Sequence, residues 1–121
     1  KEGIEFDYID LSSKQEEVNE QIKIELDKGA DSFVALNNKC TLPTLTALNK
    51  AKAVIPVNVR LISFDDNEAF AYMNPPISAL QQPITNIGLQ SVERLYSRIK
   101  EGKAPGEHFI LPCKFIARGS H

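Results

Sequence analysis

The sequence predicts an α/β domain with a mainly parallel sheet and flanking helices. Two observations carry this reading. Short runs rich in branched and aromatic residues alternate along the chain with segments whose apolar residues recur every three or four positions. Each helical segment is long enough to act as a crossover, returning the chain so that the next strand runs parallel to the last.

Taken in order, "EFDYIDL" (5–11) alternates apolar and polar side chains and predicts a strand. Ser13 followed by Glu16 has the spacing of a capping box, opening a helix over 14–28. Val18, Ile22 and Leu26 lie four apart on one face of it, and Gly29 supplies the left-handed residue that ends it. "SFVAL" (32–36) reads as a strand that stops at Asn37 and Asn38. Thr41 is the expected cap of a second helix, with Pro43 in the first turn, where a missing N–H leaves no helical bond unmade. Its buried stripe is expected at Leu42, Leu45, Leu48 and Ala51. "VIPVN" breaks that helix, and 59–64 forms the next strand. Pro75 and Pro76 impose an extended or turned path before a strand at 77–81. Ile84, Gly88, Val92, Leu95 and Ile99 mark a helix over 84–101, stopped by Gly102 and Pro105. Two further strands are expected, at "HFIL" (108–111) and, beyond Pro112, at "CKFIAR".

The composition is that of one soluble domain: 121 residues, 42% hydrophobic and 25% charged. A net charge of -2, with Lys and Arg scattered, offers no footprint for a nucleic-acid backbone within this chain. No apolar run approaches the roughly 20 residues that cross a bilayer, and the first residues have no signal-peptide core. The expectation is a cytoplasmic protein, or a processed piece of one, since the chain starts at Lys1 and its sole methionine is Met73. Cys40 and Cys113 are expected to be buried free thiols. With His108 and His121 they give no zinc-ligand spacing, so no metal or other cofactor is expected.

The chemistry concentrates at strand ends. Asp65 and Asp66 follow the strand at 59–64, and two adjacent carboxylates behind an apolar element need a reason, because they repel and are costly to desolvate. A solvated turn is the commonest reason. The competing ones are a magnesium-dependent phosphoacceptor and a hydrogen-bonding site. A receiver domain carries its acidic pair after the first strand and an acceptor aspartate after the third. Here the pair comes past the middle of the chain, and Lys114 sits inside a strand. No serine has a nucleophile-elbow context, His108 lies in an apolar strand, and six single glycines make no phosphate loop. Catalytic residues are not expected. In open α/β sheets ligands bind beyond the carboxyl ends of the strands. Asn37 and Asp65 end successive strands, so an amide and an acid would share one rim, a pairing suited to a hydroxyl-rich ligand. Phe64 is placed to add an apolar face, although a strand phenylalanine is more often core.

From Asn37 onward the chain resembles the effector-binding domain of the LacI/GalR family of bacterial transcription regulators. The pieces that carry the resemblance are "ALNN", "IPVNVRLISFDD", "PPISALQQP" followed by "IG", and "LPCKFIARGS", in the family's order and spacing. Residues 1–36 fit the stretch before them. The resemblance implies a fold like that of type I periplasmic binding proteins, incomplete here because most of the amino lobe and the helix-turn-helix are absent. It implies three parts: residues 1–82 in the carboxy lobe, 83–111 in the amino lobe, and 112–121 returning to the carboxy lobe. By position, Asn37, Asp65 and Gln82 look like effector-binding residues, with Asn38, Phe64 and Asp66 in support and Asp66 orienting the loop. Leu42, Leu45, Tyr72 and Met73 match a homodimer interface. The implied partners are a sugar or sugar-derivative effector, a second copy of the chain, and operator DNA. A sugar-uptake binding protein shares the two-lobed fold and is the rival. The chain departs from the family in Asn38, where aspartate is usual, in Ser63, where glycine is usual, and in Pro43 and the edges of the second helix.

Overall fold

The computed structural model describes residues 5–11, 14–102 and 108–121. Four strands form one sheet in sequence order: β1 (Ser32–Ala35), β2 (Arg60–Phe64), β3 (Ser78–Gln81) and β4 (Lys114–Ile116). β1, β2 and β3 run parallel, and β4 pairs antiparallel with β3. Among the described residues three α-helices accompany them, α1 (Gln15–Asp27), α2 (Asn38–Lys50) and α3 (Ile84–Glu101), with a short 3-10 helix at Glu68–Tyr72. The expected mainly parallel α/β architecture is therefore the observed one.

Side-chain alternation along the strands sends one set inward and the other outward. Ala35, Leu61, Ser63 and Ala79 are buried on the face covered by α2. Val18 and Ile22 of α1 join Ala47 and Leu48 of α2, with Val59, Phe70 and Ile77, in a single apolar core. Burying each such side chain contributes roughly 1.5–3 kcal/mol. Gly29 ends α1 at a φ of +101°, a conformation that L side chains rarely adopt. The residue preceding α1 is Lys14, whose side chain makes no capping bond. Ser13, the expected cap, lies outside the described residues.

Several sequence expectations are corrected. Residues 5–11 form no strand, because among the described residues the sheet's edge is β1 and nothing pairs beyond it; Ile9 and Leu11 instead pack on the core. Phe6 and Tyr8 are exposed and meet edge to face. Residues 108–111 likewise form no strand, and His108 is exposed. Arg94 stacks over the Phe109 ring at 4.6 Å instead. Asn37, not Thr41, caps α2, its side-chain oxygen accepting from Lys39 N and Cys40 N. That earlier start moves Pro43 into the second turn, where the N–H it lacks would have bonded the Lys39 carbonyl. The buried stripe keeps Leu48 as expected but otherwise moves back by one residue, to Thr41, Thr44 and Ala47, while Leu42 is 52% exposed and Ala51 is exposed. The shift has a polar cause: Thr41 meets a buried hydroxyl of β2, a contact that a leucine there could not make. Both cysteines are free, but Cys40 is only half-buried and Cys113 is exposed.

α3 matches its expected limits, and Gly102 closes it at a φ of +64°. None of the side chains at 84–100 is buried, and Ile84, Val92, Leu95 and Ile99 face solvent. Among the described residues the sheet face turned away from α2 is also open toward the carboxyl ends of β1, β2 and β3, while Ser78 on the same face is buried against Arg118 and His121. Across it, Phe64 pairs with Leu80 and Leu80 with Phe115, while Leu36 continues the row on the β1 side.

Candidate functional site

β1 and β2 are neighbours, with Ala35 level with Ser63. Continuing that register two residues sets Asn37 level with Asp65, just beyond the carboxyl ends of both strands. The two aspartates after β2 then part company. Asp65 takes a φ of +79°, a region in which Asp is among the few tolerated side chains. Its backbone N–H donates to Leu80 O of β3 at 3.0 Å, and its carboxylate accepts a hydrogen bond from Gln82 Nε2. Asp66 turns the other way. Its two oxygens accept from both terminal nitrogens of Arg118, at 2.7 and 3.1 Å, and the same guanidinium donates to Ile77 O at 2.7 Å. The opposite turns resolve the repulsion between adjacent charges: one acid is neutralised by a cation, the other held by an amide.

The structure thus brings Asp65 and Gln82 into contact and sets Asn37 on the same rim without a hydrogen bond between Asn37 and Asp65 among those described. Asn37 Oδ1 is occupied by two N–H groups of the first turn of α2, at 2.9 and 3.1 Å, which leaves its Nδ2 hydrogens as what it offers a ligand. Asp65 offers an acceptor. Donor and acceptor side by side match a hydroxyl group, which gives and receives at once.

Asn38 is exposed at the first position of α2, and Phe64 is half-buried on the open face of the sheet. Of the four residues expected at an interface, Leu42 and Tyr72 are exposed, whereas Leu45 and Met73 pack partly against the core. Two concavities lie elsewhere. One of about 310 Å³ sits at the amino ends of β1 and β2, lined by Ala30, Asp31 and Asn58 among others, and one of about 260 Å³ lies between α3 and Phe109 and Leu111. No group of three or more metal-ligating side chains occurs among the described residues, and no helix there is long and apolar enough to cross a membrane.

Comparison with known proteins decides the family. The model of the periplasmic binding protein-like domain matches residues 1–121. The chain belongs to this family. Its curated relatives place it in the LacI/GalR branch of periplasmic-binding-protein-like domains. It is 33% identical over 90 residues to a probable opine utilization operon repressor of Rhizobium rhizogenes, covering 74% of this chain and 46% of that one. It is 30% identical over 90 residues to the lactose operon repressor of Rhizobium radiobacter, covering 74% of this chain and 79% of that protein. Among solved structures, a LacI family transcriptional regulator from Enterococcus faecium with bound ribose is 26% identical. It superposes with a TM-score of 0.72 over 88% of this chain and 40% of its own. The chain spans less than half the length of the first curated relatives it matches.

Within this LacI/GalR domain, sequence reasoning found both aspartates but missed the partner of Asp66. Arg118 was visible only as a letter of the closing segment; its pairing spans 52 residues and leaves no local pattern. The buried hydroxyls of Thr41, Ser63, Ser78 and Ser120 were equally silent.

Proposed function

We propose that this chain is the ligand-sensing part of a sugar-responsive, cytoplasmic DNA-binding transcription regulator, and that it has no catalytic role. The observation that carries the reading is the carboxylate of Asp65 joined to Gln82 on the strand rim that also bears Asn37. A regulator with bound ribose and a related lactose operon repressor support a hydroxyl-rich effector. Asn37 donates to it, Asp65 accepts from it, and Gln82 holds the acid while adding an acceptor of its own. Asn38 and Phe64 line the approach, and Asp66 fixes the loop through Arg118.

Residues 1–82 belong to the carboxy lobe, 83–111 to the amino lobe and 112–121 to the carboxy lobe again. The departure of α3 from the sheet and the antiparallel return of β4 beside β3 support that division. The effector sits between the lobes and biases their arrangement by binding one arrangement more tightly than the other, which changes operator binding through a helix-turn-helix outside this chain. Leu42 and Tyr72, both exposed, with Leu45 and Met73 behind them, form part of a homodimer contact. Calorimetry of the full-length protein against ribose, lactose and further sugars tests the site. Asp65→Ala is expected to weaken a bound sugar by at least tenfold, since hydrogen bonds to charged groups contribute about 1.5–3 kcal/mol. Unchanged affinity would remove the site.

A further inference from the structure

Beneath the rim, two buried hydroxyls link the elements that carry Asn37 and Asp65. Thr41, in α2, and Ser63, in β2, are both fully buried, and their oxygens lie 2.7 Å apart. Thr41 Oγ1 is 3.2 Å from the Asn37 carbonyl, and Ser63 Oγ is 3.0 Å from the Asp65 carbonyl. Three close contacts therefore compete for two hydroxyl hydrogens. If Thr41 donates to Asn37, Ser63 must donate to Thr41 and the Asp65 carbonyl receives nothing from it. If Thr41 donates to Ser63, Ser63 is free to donate to Asp65.

The surroundings choose the second arrangement. The Asn37 carbonyl already accepts from Cys40 N at 3.0 Å, and the Thr41 contact is the longest of the three. The other acceptor within reach of Ser63, Phe64 O, is longer still at 3.4 Å. The hydrogens thus run from Thr41 to Ser63 to the Asp65 carbonyl. With its N–H on Leu80 O, Asp65 is then held at both ends of its backbone, and the next residue is clamped by Arg118. A left-handed conformation at a non-glycine residue persists only where its surroundings over-determine it.

We infer that the Thr41–Ser63 hydroxyl relay is the positioning device of the site, holding Asp65 left-handed so that its carboxylate meets Gln82 and presents an acceptor at a fixed height beside Asn37. Neither hydroxyl touches the effector. The role in binding rests on the function proposed above; the role in fixing the loop does not.

The test uses the full-length protein with Thr41→Val and Ser63→Ala, which remove one hydroxyl each with little change of shape, and Thr41→Ser, which keeps the relay. Hydrogen exchange by mass spectrometry reads the loop, and calorimetry with ribose and lactose reads the site. Losing the relay is expected to speed exchange across 64–67 and to weaken the sugar that the wild type binds, each by roughly 5- to 30-fold, as for the loss of one to two hydrogen bonds' worth of free energy. Thr41→Ser is expected to stay within about twofold of wild type on both, since it keeps the donor. Unchanged exchange at 64–67 in both hydroxyl-deleted variants overturns the inference. A rise spread evenly over every peptide overturns it too, because it shows general loss of packing. If the wild type binds neither sugar, the sugar reading loses its support, while the exchange result still decides the relay.

Discussion

Replacing Arg118 by Met should expose how much the domain depends on one clamp. The side chains of Arg118 and Asp66 are only 15% and 12% exposed, and they meet through two hydrogen bonds, so solvent screens the pair little. The substitution leaves the Asp66 carboxylate without its cation and the Ile77 carbonyl without its side-chain donor. Breaking a buried pair by removing one partner costs about 3–5 kcal/mol, and an exposed pair contributes about 0–1 kcal/mol. Residual exposure places this one near the lower end of the buried range, at about 3 kcal/mol. Urea unfolding of the full-length protein, with Asp66→Leu and the double variant completing a cycle, measures it. The double variant strands no charge, so it should be more stable than the sum of the single losses predicts, by about 1.5 kcal/mol or more. Singles that lose less than about 0.5 kcal/mol, or a cycle that adds without coupling, would refute the clamp.

Three further outcomes follow from the same geometry. Asn37→Ala should lose about 1 kcal/mol of stability with the helix cap, whereas Asn37→Asp keeps the cap oxygen but removes the Nδ2 donor; urea unfolding and calorimetry should therefore show Asn37→Asp folded yet deficient in sugar binding. Leu48→Ala, at a fully buried position, should cost about 2–5 kcal/mol by urea unfolding, and Leu42→Ala under about 1 kcal/mol, with sedimentation showing weakened dimerisation for Leu42→Ala alone. The isolated 121-residue chain should self-associate in sedimentation, because α3 and the outer face of the sheet leave apolar side chains in water, and Val92→Lys with Leu95→Lys should reduce that association; a monodisperse wild-type monomer would contradict it.

Local patterns were legible where the energetics are local. The limits of α3, the glycine stops at Gly29 and Gly102 and the three parallel strands all follow from periodicity and backbone preference. "EFDYIDL" alternates like a strand and "HFIL" is apolar like one, but neither pairs among the described residues, since a ladder needs a neighbour that one segment's own pattern cannot supply. The start of α2 was misplaced because Asn37 was weighed for its ligand chemistry and not for its capping, and it serves the helix through its oxygen. The rim was legible as two polar strand ends. Their separation into one clamped and one presented acid was not, because it depends on Gln82 and Arg118, far away in sequence.

Ser120 ties together strands that are far from it in sequence. Its hydroxyl accepts from Ser78 N and donates to Leu61 O, and its carbonyl accepts from Leu61 N, so three main-chain groups of the inner strands are satisfied by one residue of the segment after β4. A truncation that removes Ser120 therefore leaves two donors and one acceptor, at fully buried residues, without these partners. Where an engineered version of this domain can be cut is set by the interior of the sheet and not by the edge of β4.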